Sequence, residues 1–202
     1  MNESLTISQI LGNLGDSGLD KAFWTSYSID FDTLDFIIKK DLKQIMQSCY
    51  LHAMVDFEKF ESSLNGLLEE NRDIAKLVHL QEYCTFSTVG SEGAFHPKIL
   101  LLASEKNIHV VVGSANLTSS GILSNQDLVT TFSYSKENAQ FKNEVASFLR
   151  YLQSIETWCD EAAEDLQIVS DRFPELSEVT RSRVFFSPGN VSMMDEIFER
   201  LE

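Results

Sequence analysis

The stretch FHPKILLLASEKNIHVVVGSANLTSSG (95–121) contains two apolar runs that are separated by a short polar segment. The first run, AFHPKILLLAS (94–104), and the second, IHVVVGS (108–114), both have the length and the aliphatic composition of strands. The segment SEKN (104–107) between them is interpreted as a turn. Because this connection is short, the pattern predicts an antiparallel hairpin that is buried in the core.

The hairpin is expected to bring polar side chains together at one end. His96 and Lys98 are two residues apart, and on a strand such residues point to the same face. Gly113, Ser114 and Asn116 lie at the end of the second strand, where the closed hairpin returns to the neighbourhood of His96. Gly113 permits a close approach of backbone. A histidine, a lysine, an amide and a hydroxyl on one surface suit a phosphate group, because they supply a nucleophile, a cation and hydrogen-bond donors.

Three segments together resemble the phospholipase D superfamily, also called the HKD family: HPK (96–98), GSANLTSSG (113–121) and NQD (125–127). The order of strands and helices over 21–160 is similar to that family more loosely. The resemblance implies an α/β, phospholipase D-like layered fold with a central mixed β-sheet flanked by helices. It also implies phosphodiesterase activity.

One position departs from the family's fuller motif, which has an aspartate where this chain has Ala103. That departure, and the long interval from Lys98 to Asn116, resemble the tyrosyl-DNA phosphodiesterase and metal-independent nuclease branches. The segment GSANLT is also similar to DNA-processing members that accompany helicases or take part in phage (antiviral) defence. The resemblance therefore favours DNA, or another nucleic-acid phosphodiester, over lipid as the substrate.

The resemblance implies a mechanism that uses neither a metal nor a cofactor. His96 would attack phosphorus and form a phosphohistidine, while Lys98 and Asn116 would hold the non-bridging oxygens. Ser114 would orient the phosphate or the histidine. Asp127 would orient the imidazole, or it would be a strand-edge residue that faces water; the sequence leaves both open. A second histidine, from another copy of the motif, would protonate the leaving oxygen.

The chain contains one copy of this motif, so the second copy is expected from a homodimer partner or from a second half. Residues 1–180 are predicted to form a single phospholipase D-like domain. The ending RVFFSPGNVSMMDEIFERL (183–201) resembles 21–42 in plan, with an aromatic strand, a polar turn and an acidic helix. Residues 181–202 are therefore interpreted as the start of a second repeat or as a C-terminal extension.

The remaining chain alternates between strand and helix patterns, which predicts an α/β fold. Strands are predicted at 21–29, 49–57, 77–84 and 127–134, and helices at 30–46, 58–77 and 136–166, the last broken near Asp160.

The other histidines and the first aromatic pair are given structural roles. His52 and His79 are interpreted as packed or edge residues, and His109 as a residue that faces solvent. Phe23 and Trp24 are expected in the core rather than at a base-stacking surface.

Composition limits the class of protein. The 202 residues suit one domain, and the net charge of −15 argues against broad, non-specific binding to nucleic acid. A few cations focused in a cleft can still dominate locally. No apolar stretch is long enough for a membrane-spanning helix, and the first 20 residues lack a signal-peptide pattern, so a cytoplasmic protein is expected. The three cysteines are interpreted as reduced thiols.

Two further functions compete with a DNA nuclease. The first is a non-catalytic module that uses this scaffold to assemble with a helicase or another ATPase, which the acidic surface and Ala103 would fit. The second is a lipid-acting phospholipase, which would need an apolar or basic face toward the membrane, and no such pattern is found in the sequence.

Overall fold

A computed structural model describes residues 18–40, 49–69, 74–90, 94–124, 129–155 and 159–179. Six strands form one sheet: β1 (Lys21–Ser26), β2 (Tyr50–Asp56), β3 (Cys84–Val89), β4 (Ile99–Ala103), β5 (Asn107–Gly113) and β6 (Val129–Ser135). The helices are α1 (Phe31–Lys40), α2 (Phe57–Glu69), α3 (Ile74–Leu80), α4 (Lys142–Ser154) and α5 (Asp160–Arg172). A π-helical turn (Ser120–Ser124) and a 3₁₀ turn (Pro174–Leu176) complete the described elements.

The strand order across the sheet is β3-β2-β1-β4-β5-β6. Strands β1, β2 and β3 pair in parallel, whereas β4 pairs antiparallel with β1 and β5, and β5 pairs antiparallel with β6. The predicted hairpin is confirmed, since Leu100 pairs with Val111 and the Ser104 N–H donates to the Asn107 carbonyl at 2.9 Å. The mixed sheet flanked by helices confirms the predicted fold class.

Apolar side chains cover both faces of the sheet. Trp24 packs on one face with α1, α2 and α3, while Phe23 packs on the other face with α4 and α5. The same alternation explains the continuous apolar run of β4, because Leu100 and Leu102 enter the first core and Leu101 enters the second. The predicted core roles of Phe23 and Trp24 are confirmed by their burial.

The strand predicted at 77–84 is wrong. Residues 74–80 form α3, residues 81–83 form a turn, and β3 begins only at Cys84. Leu77 and Leu80 pack on the core at helical spacing, while Val78 between them is exposed. Short apolar runs do not distinguish a helix from a strand by periodicity alone, and here packing against α1 decided for the helix.

The long helical predictions needed different bounds. The helix predicted at 58–77 corresponds to α2, and its last residues belong to α3 instead. The break expected near Asp160 is confirmed, because α4 ends at Ser154 and α5 begins at Asp160. Residues 41–48, the start of the strand predicted at 127–134, and the segment 181–202 lie outside the described residues.

The expectations for the histidines and cysteines were met in part. His52 is buried, as predicted, and His79 lies on α3 in contact with Glu82. His109 does not face solvent as expected: its Nδ1 lies 2.8 Å from the Ser133 hydroxyl, and its Nε2 is buried. The cysteines are free thiols, and burial raises the pKa of Cys49 and of Cys84 to about 12. None of the described helices is long and apolar enough to cross a membrane.

Candidate active site

The site lies at the edge of the sheet where β1 and β2 end and β4 begins. Backbone pairing of β1 with β4 stops at Trp24 and Leu100, and the Thr25 hydroxyl then accepts a hydrogen bond from the Ile99 N–H at 2.9 Å. Residues 94–98 therefore lie outside the ladder, and the prediction that His96 and Lys98 lie on a strand is wrong. Pro97 has no N–H to donate to a ladder, which fits a strand that starts after it.

Asp56, the last residue of β2, holds this extended segment in place. Its Oδ2 accepts a hydrogen bond from the Phe95 N–H at 2.8 Å, while its Oδ1 accepts one from the Lys59 N–H at 3.2 Å. The second bond caps the start of α2. Since Phe95 is buried in the core, one carboxylate ties the segment before β4 to both β2 and α2.

His96 and Lys98 are in direct contact. The Lys98 ammonium lies 2.7 Å from His96 Nδ1, 3.4 Å from Nε2 and 2.9 Å from the His96 carbonyl oxygen. An ammonium can only donate, so Nδ1 is the acceptor in this contact. His96 is exposed, whereas Lys98 is 9% exposed. The site therefore presents an accessible imidazole with a largely buried cation against it.

Tyr27 is a member of this cluster that sequence reasoning missed. Its ring lies 4.7 Å from the His96 ring, centroid to centroid, at an interplanar angle of 34°. Two ammonium groups lie near the same ring, with Lys59 Nζ 5.2 Å and Lys98 Nζ 5.9 Å from its centroid. The position of Tyr27 directly after β1 was a usable signal, because strand ends on this edge carry the site.

The turn after β5 docks onto the same edge. The Gly113 N–H donates to the Lys98 carbonyl at 3.2 Å, and the Leu117 N–H donates to the Ser26 hydroxyl at 3.0 Å. A Cβ atom on Gly121 would lie 2.5 Å from the Asn116 carbonyl oxygen, so only glycine allows this close return of the chain. These contacts place the predicted motif 113–121 beside Lys98, as expected from the hairpin.

The predicted polar residues of that turn differ in environment. Ser114 is exposed, and Gly113 and Ala115 on either side of it line a small pocket with Lys98. Asn116 is partly buried, and its Oδ1 is buried without a hydrogen-bond partner in the described part of the chain. Such atoms are uncommon in proteins, and their explanations include local strain, a catalytic role and an ordered water or ion. Asp127 lies outside the described residues.

Metal-ligating side chains do not cluster in the described ranges: no group of three or more His, Cys, Asp or Glu side chains there is placed to hold an ion. The groups that gather around the Tyr27 ring are the His96 imidazole and the ammonium groups of Lys59 and Lys98, and ammonium groups bind anions.

The fold, together with the residues His96 and Lys98, agrees with the phospholipase D superfamily. Comparison with known proteins supports that assignment. A sequence model described as tyrosyl-DNA phosphodiesterase matches residues 1–170. The chain therefore belongs to the tyrosyl-DNA phosphodiesterase family. No curated protein matches the chain.

One solved structure supports the fold, and a second is also similar to part of the chain. A mutant of the yeast tyrosyl-DNA phosphodiesterase aligns over 95% of this chain and 44% of its own, with a TM-score of 0.52 and 15% identity. NucT from Helicobacter pylori aligns over 74% of this chain and 89% of its own, with a TM-score of 0.42 and 14% identity. The chain thus spans less than half the length of the yeast structure, which shares its fold.

Proposed function

We propose that this chain forms half of a metal-independent phosphodiesterase that cleaves DNA, with His96 as the nucleophile. The observation that carries the proposal is the contact between the exposed His96 imidazole and the Lys98 ammonium, at 2.7 Å, on the edge where the strands end. In a member of this family, that pair supplies a nucleophile and a cation for the same phosphate.

The proposed reaction has two displacements. In the first, a lone pair of the His96 imidazole forms a bond to phosphorus while the bond from phosphorus to the leaving oxygen breaks, and that oxygen takes a proton from an acid. In the second, water replaces the imidazole nitrogen on phosphorus and returns a proton to the same group. Lys98 first turns from Nδ1 to a non-bridging oxygen, which frees the ring for attack. Asn116 and Ser114 would hold the other oxygens, and Asp127 would orient the imidazole.

The acid is proposed to come from a second copy of the motif. Other described histidines do not lie at this edge: His52 is buried against Asp165, and His79, which lies on α3, contacts Glu82. A homodimer would supply the partner's His96, whereas a second half would supply a different histidine. In a symmetric homodimer both motifs would meet across the two-fold axis.

The biological setting of the proposed enzyme is DNA processing or phage defence in the cytoplasm, with a helicase or ATPase as a candidate partner. The net charge of −15 fits a protein that is delivered to DNA by such a partner rather than by its own surface.

The first experiment compares the wild-type chain with His96→Ala on single-stranded DNA and on an oligonucleotide that carries a tyrosyl phosphodiester, in excess EDTA. Wild type should cleave at least one substrate, and rapid denaturation at alkaline pH, where a phosphohistidine survives, should trap the radiolabelled phosphate on the protein. His96→Ala should do neither. Lys106→Ala, which changes an exposed lysine at the far end of the sheet, is the control.

Mixing the two proteins tests the source of the second motif. In a homodimer with one shared site, only dimers of two wild-type chains are active, so at constant total protein the activity falls with the square of the wild-type fraction, faster than by dilution. A fall by simple dilution would exclude the shared site. If His96→Ala equals wild type in every activity and assembly, the chain is an interaction module instead of an enzyme.

A further inference from the structure

Lys59 is a second cation at the site, since its ammonium lies over the same Tyr27 ring that packs on His96. It lies in the first turn of α2, where the positive end of the helix dipole disfavours an ammonium group. None of the ion pairs among the described residues includes Lys59, whereas Lys21, Lys39 and Lys76 each pair with an aspartate. The position of Lys59 is therefore poorly explained by the stability of the helix.

The Tyr27 ring connects Lys59 to the catalytic pair. Lys59 Nζ and Lys98 Nζ lie 5.2 Å and 5.9 Å from its centroid, and His96 packs on the same ring. An aromatic face attracts ammonium groups, so the ring offsets the repulsion between two like charges near one site. In a chain with a net charge of −15, two lysines gathered in this way form a local positive surface.

We infer that Lys59 and Tyr27 form a second anion subsite, which receives a phosphate next to the one that His96 attacks. The two ammonium groups are separated by less than the sum of their distances to the ring centroid. On one strand of B-form DNA a charge recurs about every 3.4 Å along the axis, so two groups within that upper limit are close enough to contact phosphates of the same strand. The ligand class is a single nucleic-acid strand with consecutive phosphates.

The inference rests on the proposed function for the identity of the first phosphate, but binding tests it without cleavage. The probe is a fluorescent single-stranded DNA oligonucleotide, measured by anisotropy at several salt concentrations with the full chain. Lys59→Gln should weaken binding several-fold and lower the slope of log affinity against log salt by about 0.7, the value for one phosphate contact on a single strand. Lys59→Arg should keep the slope.

Lys106→Gln is the matched control, because it removes the same charge from the opposite end of the sheet and should leave the slope unchanged. A dinucleoside monophosphate, which has one phosphodiester, serves as a competitor. Lys59→Gln should lower the preference for the oligonucleotide over this competitor.

The outcomes separate the two proposals. A Lys59→Gln chain that behaves like Lys106→Gln, or that loses both ligands equally, overturns the second subsite even if wild type cleaves DNA. A wild-type chain that binds no oligonucleotide overturns it as well. Binding with the expected slope change, but with no cleavage by wild type, supports the subsite and contradicts the proposed function.

Discussion

Two histidines near opposite ends of the same sheet have opposite environments. His52, on β2, is 1% exposed; its Nε2 lies 2.8 Å from Asp165 Oδ2 and its Nδ1 2.8 Å from the Thr85 hydroxyl. His96 is exposed and contacts the Lys98 ammonium. Both rings also pack on an aromatic ring, so the difference lies in burial and charge.

At the His52 end, opposite charges are matched across elements. Lys21 on β1 pairs with Asp165 on α5, and Arg172 on α5 makes two hydrogen bonds to Asp20. Burial acts to raise the pKa of Asp165, but hydrogen bonds from Lys21 and His52 outweigh it and hold that pKa below its ordinary value. These groups pair with one another, and the pairs hold α5 against the sheet.

At the His96 end, the described cations gather around an aromatic ring instead. Lys59 and Lys98 lie near Tyr27, and the carboxylate of Asp56 is occupied by backbone N–H groups. The comparison teaches that opposite charges pair across elements at one end, while at the other two ammonium groups lie near one aromatic ring.

Substituting each of the two histidines separately is the strongest test of this comparison. His96→Asn should lower activity at least about 10³-fold, because a nucleophile is lost, and should leave the free energy of unfolding within about 0.5 kcal/mol of wild type. His52→Leu should instead lower the free energy of unfolding by about 2–3 kcal/mol, since it leaves Asp165 and Thr85 without their partner. Steady-state kinetics and urea unfolding measure the two effects. The comparison fails if His96→Asn also destabilises the protein by that amount.

Gly121→Ala should affect the site end through the backbone. The added Cβ would meet the Asn116 backbone, so the turn must shift, at a cost of about 1–3 kcal/mol and with a loss of activity. Gly66→Ala is the control: it lies in α2 with open space around it, and alanine there should stabilise by about 0.5–1 kcal/mol. Thermal or urea unfolding of both variants measures these changes in the free energy of unfolding. Equal changes in the two variants would contradict the close approach at Gly121.

Asp165→Asn should weaken the far end by about 1–2 kcal/mol at pH 7, because Lys21 and His52 lose a charged partner that is partly exposed. The folded pKa of Asp165 is lowered, so its contribution is present above the unfolded pKa, near 3.9, and is lost as pH falls through the folded pKa. The difference between wild type and variant should therefore shrink below about pH 4. A difference that grows with acid would refute the assignment.

His109 should produce the smallest effect. Burial lowers its pKa, so the unfolded chain binds a proton at higher pH than the folded chain. The stability of wild type relative to His109→Gln should decline as pH falls below about 6.5, the ordinary value for histidine. Urea unfolding at pH 7.5 and pH 5 measures the decline, and a histidine that faced solvent would show none.

Local sequence patterns predicted much of the sheet and half of the site. The turn at 104–107, the buried faces of β4 and the return of the 113–121 turn to Lys98 all follow from the predicted hairpin, although His96 and Lys98 lie before β4 and not on it. The strand predicted at 77–84 failed because its apolar residues fit either period, and contact with the core decided between them. His109 was misjudged because β6 covers it, and no local pattern around residue 109 reveals that strand.

By itself, the sequence determined the motif and the hairpin beside it, since these depend on residues close together in the chain. Only the tertiary structure decided which other side chains join them. Tyr27 contacts both His96 and Lys59 because β1 and β2 end at the edge where β4 begins, and Asp165 meets His52 across 113 positions of sequence. Such contacts depend on strand order and on helices packing over the sheet, and local periodicity carries no information about either.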